Sequence, residues 1–230
     1  FVTLMKSILC ITNMESAATG LRRSADVLSA ASDTLDIIQT DDTEKFSPLW
    51  TKKAKASGFV LILWMGTGLA SDFLKKLHSF MNEQHIPFFI QVSDLEKEKE
   101  KGCITEEQTV LIKKYLSCGG LTNYSNLLRY IFHTFCDVSM SYEKPVDMPA
   151  WGFYVPGETK AYTDTREYVS LYVDKNKPTA GLIFLREDWL WGNLHWQSAL
   201  IDILKQQGFN VMAVFTTTSD YRGTGNPILG

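Results

Sequence analysis

A run of seven apolar residues, FVLILWM at positions 59–65, places the strongest constraint on what this chain can fold into. A strand in which every side chain is apolar needs cover on both faces, which is typical of an interior strand of a parallel sheet. Gly66 and Gly68 end the run, and apolar residues then recur at helical spacing over 72–84. A buried strand followed by a helix is therefore the expected local order.

The same alternation extends over residues 1–137. The predicted strands lie at 6–12, 34–39, 59–65 and 87–92. The predicted helices lie at 17–29, 48–56, 72–84, 105–116 and 123–136. Strands that alternate with helices predict an α/β domain with a parallel, doubly wound sheet of the flavodoxin or Rossmann type.

A second domain is predicted after a connector. Residues 138–176 contain several prolines and are predicted as a connector with one short helix at 164–173. A strand at 180–185, a helix at 193–207 and a strand at 210–215 then form one βαβ unit within 177–230. One such unit cannot bury both of its faces. We therefore expect 177–230 to begin a second α/β domain that is incomplete here, in the front piece of a longer protein.

Composition excludes several classes of function. The net charge is −3, with 23 basic and 26 acidic residues, so nucleic acid and anionic membrane are not expected partners. The longest apolar run is far shorter than the roughly 20 residues of a membrane span. The four cysteines form no CxxC pair, which favours a reducing, cytoplasmic setting. No GxxxxGK[ST] motif and no metal-ligand spacing occur, so neither ATP hydrolysis nor a metal site is predicted on this chain.

The segment REDWLWGN, residues 186–193, is the candidate binding site because it joins a predicted strand to a predicted helix. Ligands of open α/β sheets bind at the carboxyl ends of strands. Arg186 is suited to a carboxylate, and Trp189, like Trp191, is suited to stacking on a flat ring. Gly192 permits a sharp turn, and Asn193 is predicted to cap the helix.

The alternative for this segment is structural. The two tryptophans would then pack between the two domains, and Arg186 would pair with Glu187 or Asp188. Two other glycine-bearing segments have ordinary explanations as well. GTGLAS at 66–71 departs from GxGxxG at its last position and is predicted as a strand-to-helix turn. In CGGLTNYSNLLRYIF at 118–132, the glycines are predicted to end one helix, and Asn123 or Asn126 to cap the next.

Taken in order, these segments resemble the large subunit of cobaltochelatase (CobN type), a family that also includes the large (H) subunit of magnesium chelatase. The first-domain strands around a glycine-bearing turn are similar, and so is the segment LSCGGLTNYSNLLRYI. The best match is KPTAGLIFLREDWLWGNLHWQSALIDILKQQGFNVMAVF at 177–215. One departure is Val155 in GFYVPG, where the family usually has a histidine.

The resemblance implies the N-terminal portion of the large, tetrapyrrole-binding subunit of an ATP-dependent metal chelatase, a ligase that forms nitrogen–metal bonds. Cobalt insertion into a corrinoid, in cobalamin biosynthesis, is the first expectation, and magnesium insertion into protoporphyrin is the alternative. The divalent metal is a substrate, the fragment itself holds no cofactor, and separate AAA+ ATPase and adaptor subunits use the ATP. The fragment alone is expected to be inactive. The residues expected to bind the tetrapyrrole are Arg186, Trp189, Gly192, Asn193 and His195.

Two non-enzymatic functions remain open at this point. The chain is similar in its strand–helix order to a flavodoxin-like or periplasmic-binding-like module that binds a small ligand or a partner. It is equally compatible with a domain that acts only as a docking surface for the ATPase subunits.

Overall fold

The computed structural model describes residues 6–26, 28, 34–158 and 160–217. The chain divides into two compact units, residues 1–146 and 147–230. This division lies later than the predicted end of the first domain at residue 137. The reason is that residues 143 and 146 are hydrogen-bonded to side chains of the first unit.

The first unit contains a four-stranded, entirely parallel sheet in the order β2-β1-β3-β4. Its strands are β1 (Ser7–Thr12), β2 (Leu35–Gln39), β3 (Ser57–Thr67) and β4 (Phe88–Ser93). Its helices are α1 (Glu15–Asp26), α2 (Pro48–Ala56), α3 (Asp72–Glu83), α4 (Glu106–Cys118) and α5 (Leu121–Phe135), with a 3-10 turn at Lys97–Lys99. The α/β prediction is confirmed, and all four predicted strands are present.

Strand β3 is buried on both faces, as its sequence predicts. On one face Val60 and Ile62 pack in a core with Phe73 and Leu77 of α3. On the other face Phe59 lies against Phe135 of α5, with ring centroids 4.7 Å apart.

Glycine is needed at the start of β3. A Cβ atom at Gly58 would lie 2.5 Å from the carbonyl oxygen of Phe135, so the close approach of α5 to the strand requires glycine there.

The second unit contains a three-stranded sheet in the order β5-β7-β6. Its strands are β5 (Gly152–Phe153), β6 (Thr179–Leu185) and β7 (Asn210–Thr216), and its helices are α6 (Thr165–Tyr172), α7 (Arg186–Leu190) and α8 (His195–Gln206). β6 and β7 are parallel, and β5 is antiparallel to β7. The predicted βαβ unit is present, and part of the predicted connector adds β5 to its sheet.

A helix packs against part of each face of this small sheet. On one face Phe184, Val211 and Phe215 pack with Ile201 of α8. On the other face Phe153 of β5 and Val214 of β7 pack with Tyr168 of α6. The side chain of Asp164 caps α6 by accepting from the backbone N–H groups of Arg166 and Glu167.

Candidate functional site

The segment REDWLWGN is not a loop, because most of it forms helix α7. The helix begins directly after β6, and Glu187 and Asp188 lie in its first turn, where acidic residues favour a helix start. The chain reverses at Gly192, whose φ of 66° lies in the left-handed region that glycine adopts without strain. The N–H of Asn193 then donates to the carbonyl of Asp188, at 2.8 Å.

Asn193 does not cap α8, which corrects the prediction. The N-cap residue is Leu194, and no side chain caps the helix. The backbone N–H of Asn193 is already bonded to the carbonyl of Asp188 in α7, and α8 begins two residues later, at His195.

The guanidinium of Arg186 binds backbone carbonyl groups. Its Nε donates to the oxygen of Pro149 at 2.7 Å, and its Nη2 donates to the oxygen of Met148 at 3.1 Å. These bonds attach residues 148–149 to the start of α7. Arg186 therefore stabilises the fold of the second unit, whatever further contact it makes.

Of the two tryptophans of the segment, Trp189 packs inside the second unit. The indole of Trp189 stacks on the ring of Phe215, with centroids 4.3 Å apart and planes 6° apart. Trp191 is buried, with 8% of its surface exposed. One face of the Trp189 indole is thus covered by β7, and the side chain as a whole is half-buried.

A hydrogen bond joins the half-buried Asp188 of α7 to the buried Gln197 of α8. The side-chain amide of Gln197 donates from Nε2 to Oδ2 of Asp188, at 3.0 Å. Burial raises the pKa of the Asp188 carboxyl, and the bond from Gln197 partly offsets this. The Oε1 atom of Gln197 is buried and has no hydrogen-bond partner among the described residues. This pair links α7 to α8.

Within the segment Glu187 is exposed and Asn193 is half-buried, and His195, at the start of α8, is exposed. Trp196 is 51% exposed. The buried residues of α8 are Gln197 and Ile201. The five predicted site residues lie between the start of α7 and the start of α8. His195 is exposed, whereas Arg186, Trp189 and Asn193 are half-buried.

The carboxyl edge of the first sheet offers a second place where a ligand of an α/β fold could bind. Strand order reverses between β1 and β3. There the side chain of Asn13 donates to the carbonyl of Met65 at 2.8 Å and accepts from its N–H at 2.7 Å. These two bonds bridge the ends of β1 and β3 at the point where a ligand crevice is expected.

The GTGLAS segment connects strand to helix, as predicted, although Gly66 and Thr67 still belong to β3. Ser71 caps α3 by accepting from the N–H of Leu74. A surface cavity of about 330 Å³ lies beside it, lined by residues that include Lys75, His78 and Lys99. Burial, with a contribution from Lys99, lowers the pKa of His78 and so favours its neutral form. The same cavity is also lined by Asp94 and Glu96, so its charge is mixed and indicates no particular ligand.

The asparagines of the CGGLTNYSN segment have a role that sequence reasoning missed. Gly120, not an asparagine, precedes α5 as its N-cap. Asn123 is 1% exposed, and its side chain donates to the carbonyl of Val146 at 2.8 Å and accepts from its N–H at 2.9 Å. Asn126, one turn on, accepts from the N–H of Glu143 at 2.9 Å. The two amides hold residues 143–146 against α5.

Neither a metal centre nor a membrane helix is found in the part of the chain that the structure describes. Over residues 6–26, 28, 34–158 and 160–217, no group of three or more His, Cys, Asp and Glu side chains is placed to hold a metal ion. Among the same residues no helix has the length and apolar character needed to cross a membrane.

Comparison with known proteins places this fold and its segments in context. A family model described as CobN/Magnesium Chelatase matches residues 113–228, just over half of the chain. An uncharacterised protein of Methanocaldococcus jannaschii, MJ0908, is 32% identical over 129 residues, which are 54% of this chain and 10% of the relative.

A solved structure with the same fold is the catalytic subunit of cobaltochelatase from Mycobacterium tuberculosis. It aligns with a TM-score of 0.61 and 16% sequence identity, over 97% of this chain and 17% of the other. This chain therefore spans a tenth to a sixth of the length of the relatives it matches.

Proposed function

Because this chain belongs to the CobN/magnesium chelatase family, we propose that it forms the N-terminal part of the large, tetrapyrrole-binding subunit of an ATP-dependent metal chelatase. The family match over 113–228 carries this proposal, since it includes α5 with its asparagines and everything from β6 to β7. The enzyme inserts a divalent metal ion, as substrate, into the macrocycle. Cobalt and a corrinoid, in cobalamin biosynthesis, are the proposed pair, and magnesium with protoporphyrin is the alternative.

Separate AAA+ ATPase and adaptor subunits supply the energy in this proposal. Its support is the lack of a GxxxxGK[ST] motif anywhere in the 230 residues. The isolated 230-residue piece accordingly neither hydrolyses ATP nor inserts metal. The cysteine pattern, without a CxxC pair, supports a cytoplasmic location for the enzyme.

The turn between α7 and α8 is proposed as one contact region for the tetrapyrrole. Arg186 and Trp189 hold the turn in place through their bonds to residues 148–149 and their stack on Phe215. Gly192 provides the reversal. Asn193 and His195 then present an amide and an imidazole to the acidic rim of the macrocycle, because these are the accessible polar groups of the turn.

Metal insertion by the assembled enzyme tests the chemistry. The complete subunit is mixed with its ATPase and adaptor subunits, ATP, and either cobalt with a metal-free corrinoid or magnesium with protoporphyrin. The proposal predicts ATP-dependent insertion of one metal, followed by absorbance. Failure with both pairs, while the ATPase subunits hydrolyse ATP normally, contradicts the chelatase assignment.

A matched pair of variants tests the contact region separately. His195→Ala in the complete subunit should weaken tetrapyrrole binding about tenfold, the effect of losing one charge-assisted hydrogen bond. His85→Ala changes an equally exposed imidazole on the first unit and should leave binding unchanged. If both variants bind the tetrapyrrole as tightly as the unmodified subunit does, the turn is not part of the binding site. The family assignment is unaffected by that result.

A further inference from the structure

Strand β6 has the sequence of an interior strand but the position of an edge strand. Its residues TAGLIFL include no charged side chain and no proline. Strands that are apolar on both faces are typical of the interior of parallel sheets. Within the described residues, however, β6 pairs with β7 alone and stands at the end of its sheet.

The hydrogen bonds of β7 establish which backbone groups of β6 point outward. The N–H of Asn210 donates to the carbonyl of Pro178 at 2.8 Å, so Pro178 faces β7. Backbone groups alternate in direction along a strand. Ala180, Leu182 and Phe184 therefore also face β7, and the outward N–H and C=O groups belong to Thr179, Gly181, Ile183 and Leu185.

Two of these four residues, Ile183 and Leu185, have apolar side chains that remain uncovered on one face of the sheet. Ile183 is 49% exposed and Leu185 is 40% exposed, whereas Phe184, on the other face, is 4% exposed. Helix α6 does not cover them, because its Tyr168 packs on Phe153 of β5 and Val214 of β7. A Cβ atom added at Gly181 would meet nothing within 4 Å, so the same face of the sheet is also open at this position.

The geometry points to a further β-strand that adds to the outer edge of β6 and is contributed by another segment of the same subunit. A row of outward N–H and C=O groups is best satisfied by an extended backbone, and the uncovered Ile183 and Leu185 require apolar side chains on that segment. Natural edge strands carry lysine, proline or a bulge that discourages such pairing, and β6 carries neither of these residues.

The length of the relatives supports a segment of the same chain as the occupant. The aligned region is 17% of the solved chain with this fold, so a complete subunit has many further residues that could form a strand. The inference goes beyond the proposed function, since strand addition requires no chelatase activity and stands or falls independently of it.

Residue-resolved hydrogen exchange on the complete, monomeric subunit tests the added strand. The outward amides of Gly181 and Ile183 should exchange at least about 100-fold more slowly than in an unstructured peptide, as do amides in a stable ladder. The inward amides of Leu182 and Phe184, which face β7, provide the internal reference. Exchange of the outward amides at nearly the peptide rate, beside protected inward amides, overturns the inference.

Two controls identify the occupant. If protection of Gly181 and Ile183 disappears when the subunit is diluted from dimer to monomer, a second copy covers the edge and the inference is wrong. Ile183→Lys should lower the melting temperature of the complete subunit by several degrees, because it places a charge in the new contact. Val110→Lys, at a residue of α4 that is 58% exposed, should leave the melting temperature unchanged.

Discussion

The indole of Trp189 lies flat on the ring of Phe215, with centroids 4.3 Å apart and planes 6° apart. The contact joins α7, which follows β6, to β7, and it covers one face of the indole that the sequence predicted to stack on a ligand. Trp189→Ala should therefore lower the free energy of unfolding by about 2–3 kcal/mol, less than for a fully buried tryptophan. Denaturant unfolding of the 230-residue chain measures this. A stability unchanged from the original chain would show that the stack contributes nothing.

Arg186 should act on stability through its two backbone carbonyl partners. Arg186→Ala removes the donors to Pro149 and Met148 and should cost about 1–3 kcal/mol in the free energy of unfolding. Arg186→Lys keeps the charge but loses the planar, two-donor geometry, so it should restore only part of the loss. If Arg186→Ala unfolds normally and instead weakens tetrapyrrole binding in the complete subunit, the guanidinium contacts the substrate directly.

The buried amide of Asn123 should be far more sensitive than that of Asn126. Asn123→Ala leaves the N–H and carbonyl of Val146 without their partner and should cost about 2–3 kcal/mol. Asn126→Ala is the matched control, since its oxygen accepts one bond from Glu143 at an exposed site, and it should cost about 1 kcal/mol or less. Equal losses, measured by denaturant unfolding, would contradict this assignment of roles.

Acid should weaken the second unit through Glu158. The phenols of Tyr172 and Tyr162 donate to its two carboxylate oxygens at 2.6 and 2.7 Å, and these bonds lower the pKa of Glu158 from its ordinary 4.5. A carboxyl with a lowered folded-state pKa contributes stability that is present above the unfolded-state value. That stability is lost as the pH falls through the folded-state value.

The Tyr172→Phe variant isolates this effect. It removes the bond to Oε1 of Glu158, so the melting temperature should depend less on pH below 4.5 than in the original chain. Melting curves recorded between neutral and acid pH compare the two. If the melting temperatures of the two chains fall equally as the pH is lowered, the bond from Tyr172 does not lower the pKa of Glu158.

Local periodicity was enough to predict the strands and most helices, but it could not locate the site. The apolar run at 59–65 predicts a strand that is buried on both faces, whatever its neighbours in the sheet are. In α8, by contrast, apolar residues occupy two faces, and the sheet covers the one with Gln197 and Ile201 rather than the one with Trp196. A fully buried glutamine is unusual enough that pattern alone favours the other face.

Long-range partners explain the remaining differences. Asn123 bonds to Val146, 23 residues away, and Arg186 bonds to Pro149, 37 residues away. Sequence patterns indicate that an asparagine caps or that an arginine binds an anion, since those are the commonest uses of these side chains. Backbone partners that only the fold brings near cannot be read from the local sequence.

Tetrapyrrole binding by the complete subunit is the decisive measurement for the proposed function. The subunit is titrated with a metal-free corrinoid and with protoporphyrin, and the absorbance spectrum of each macrocycle is followed. A saturable spectral shift at one site is expected with one of the two macrocycles, without ATP or the ATPase subunits. A correctly folded subunit that shifts the spectrum of neither macrocycle would contradict its role as the tetrapyrrole-binding subunit.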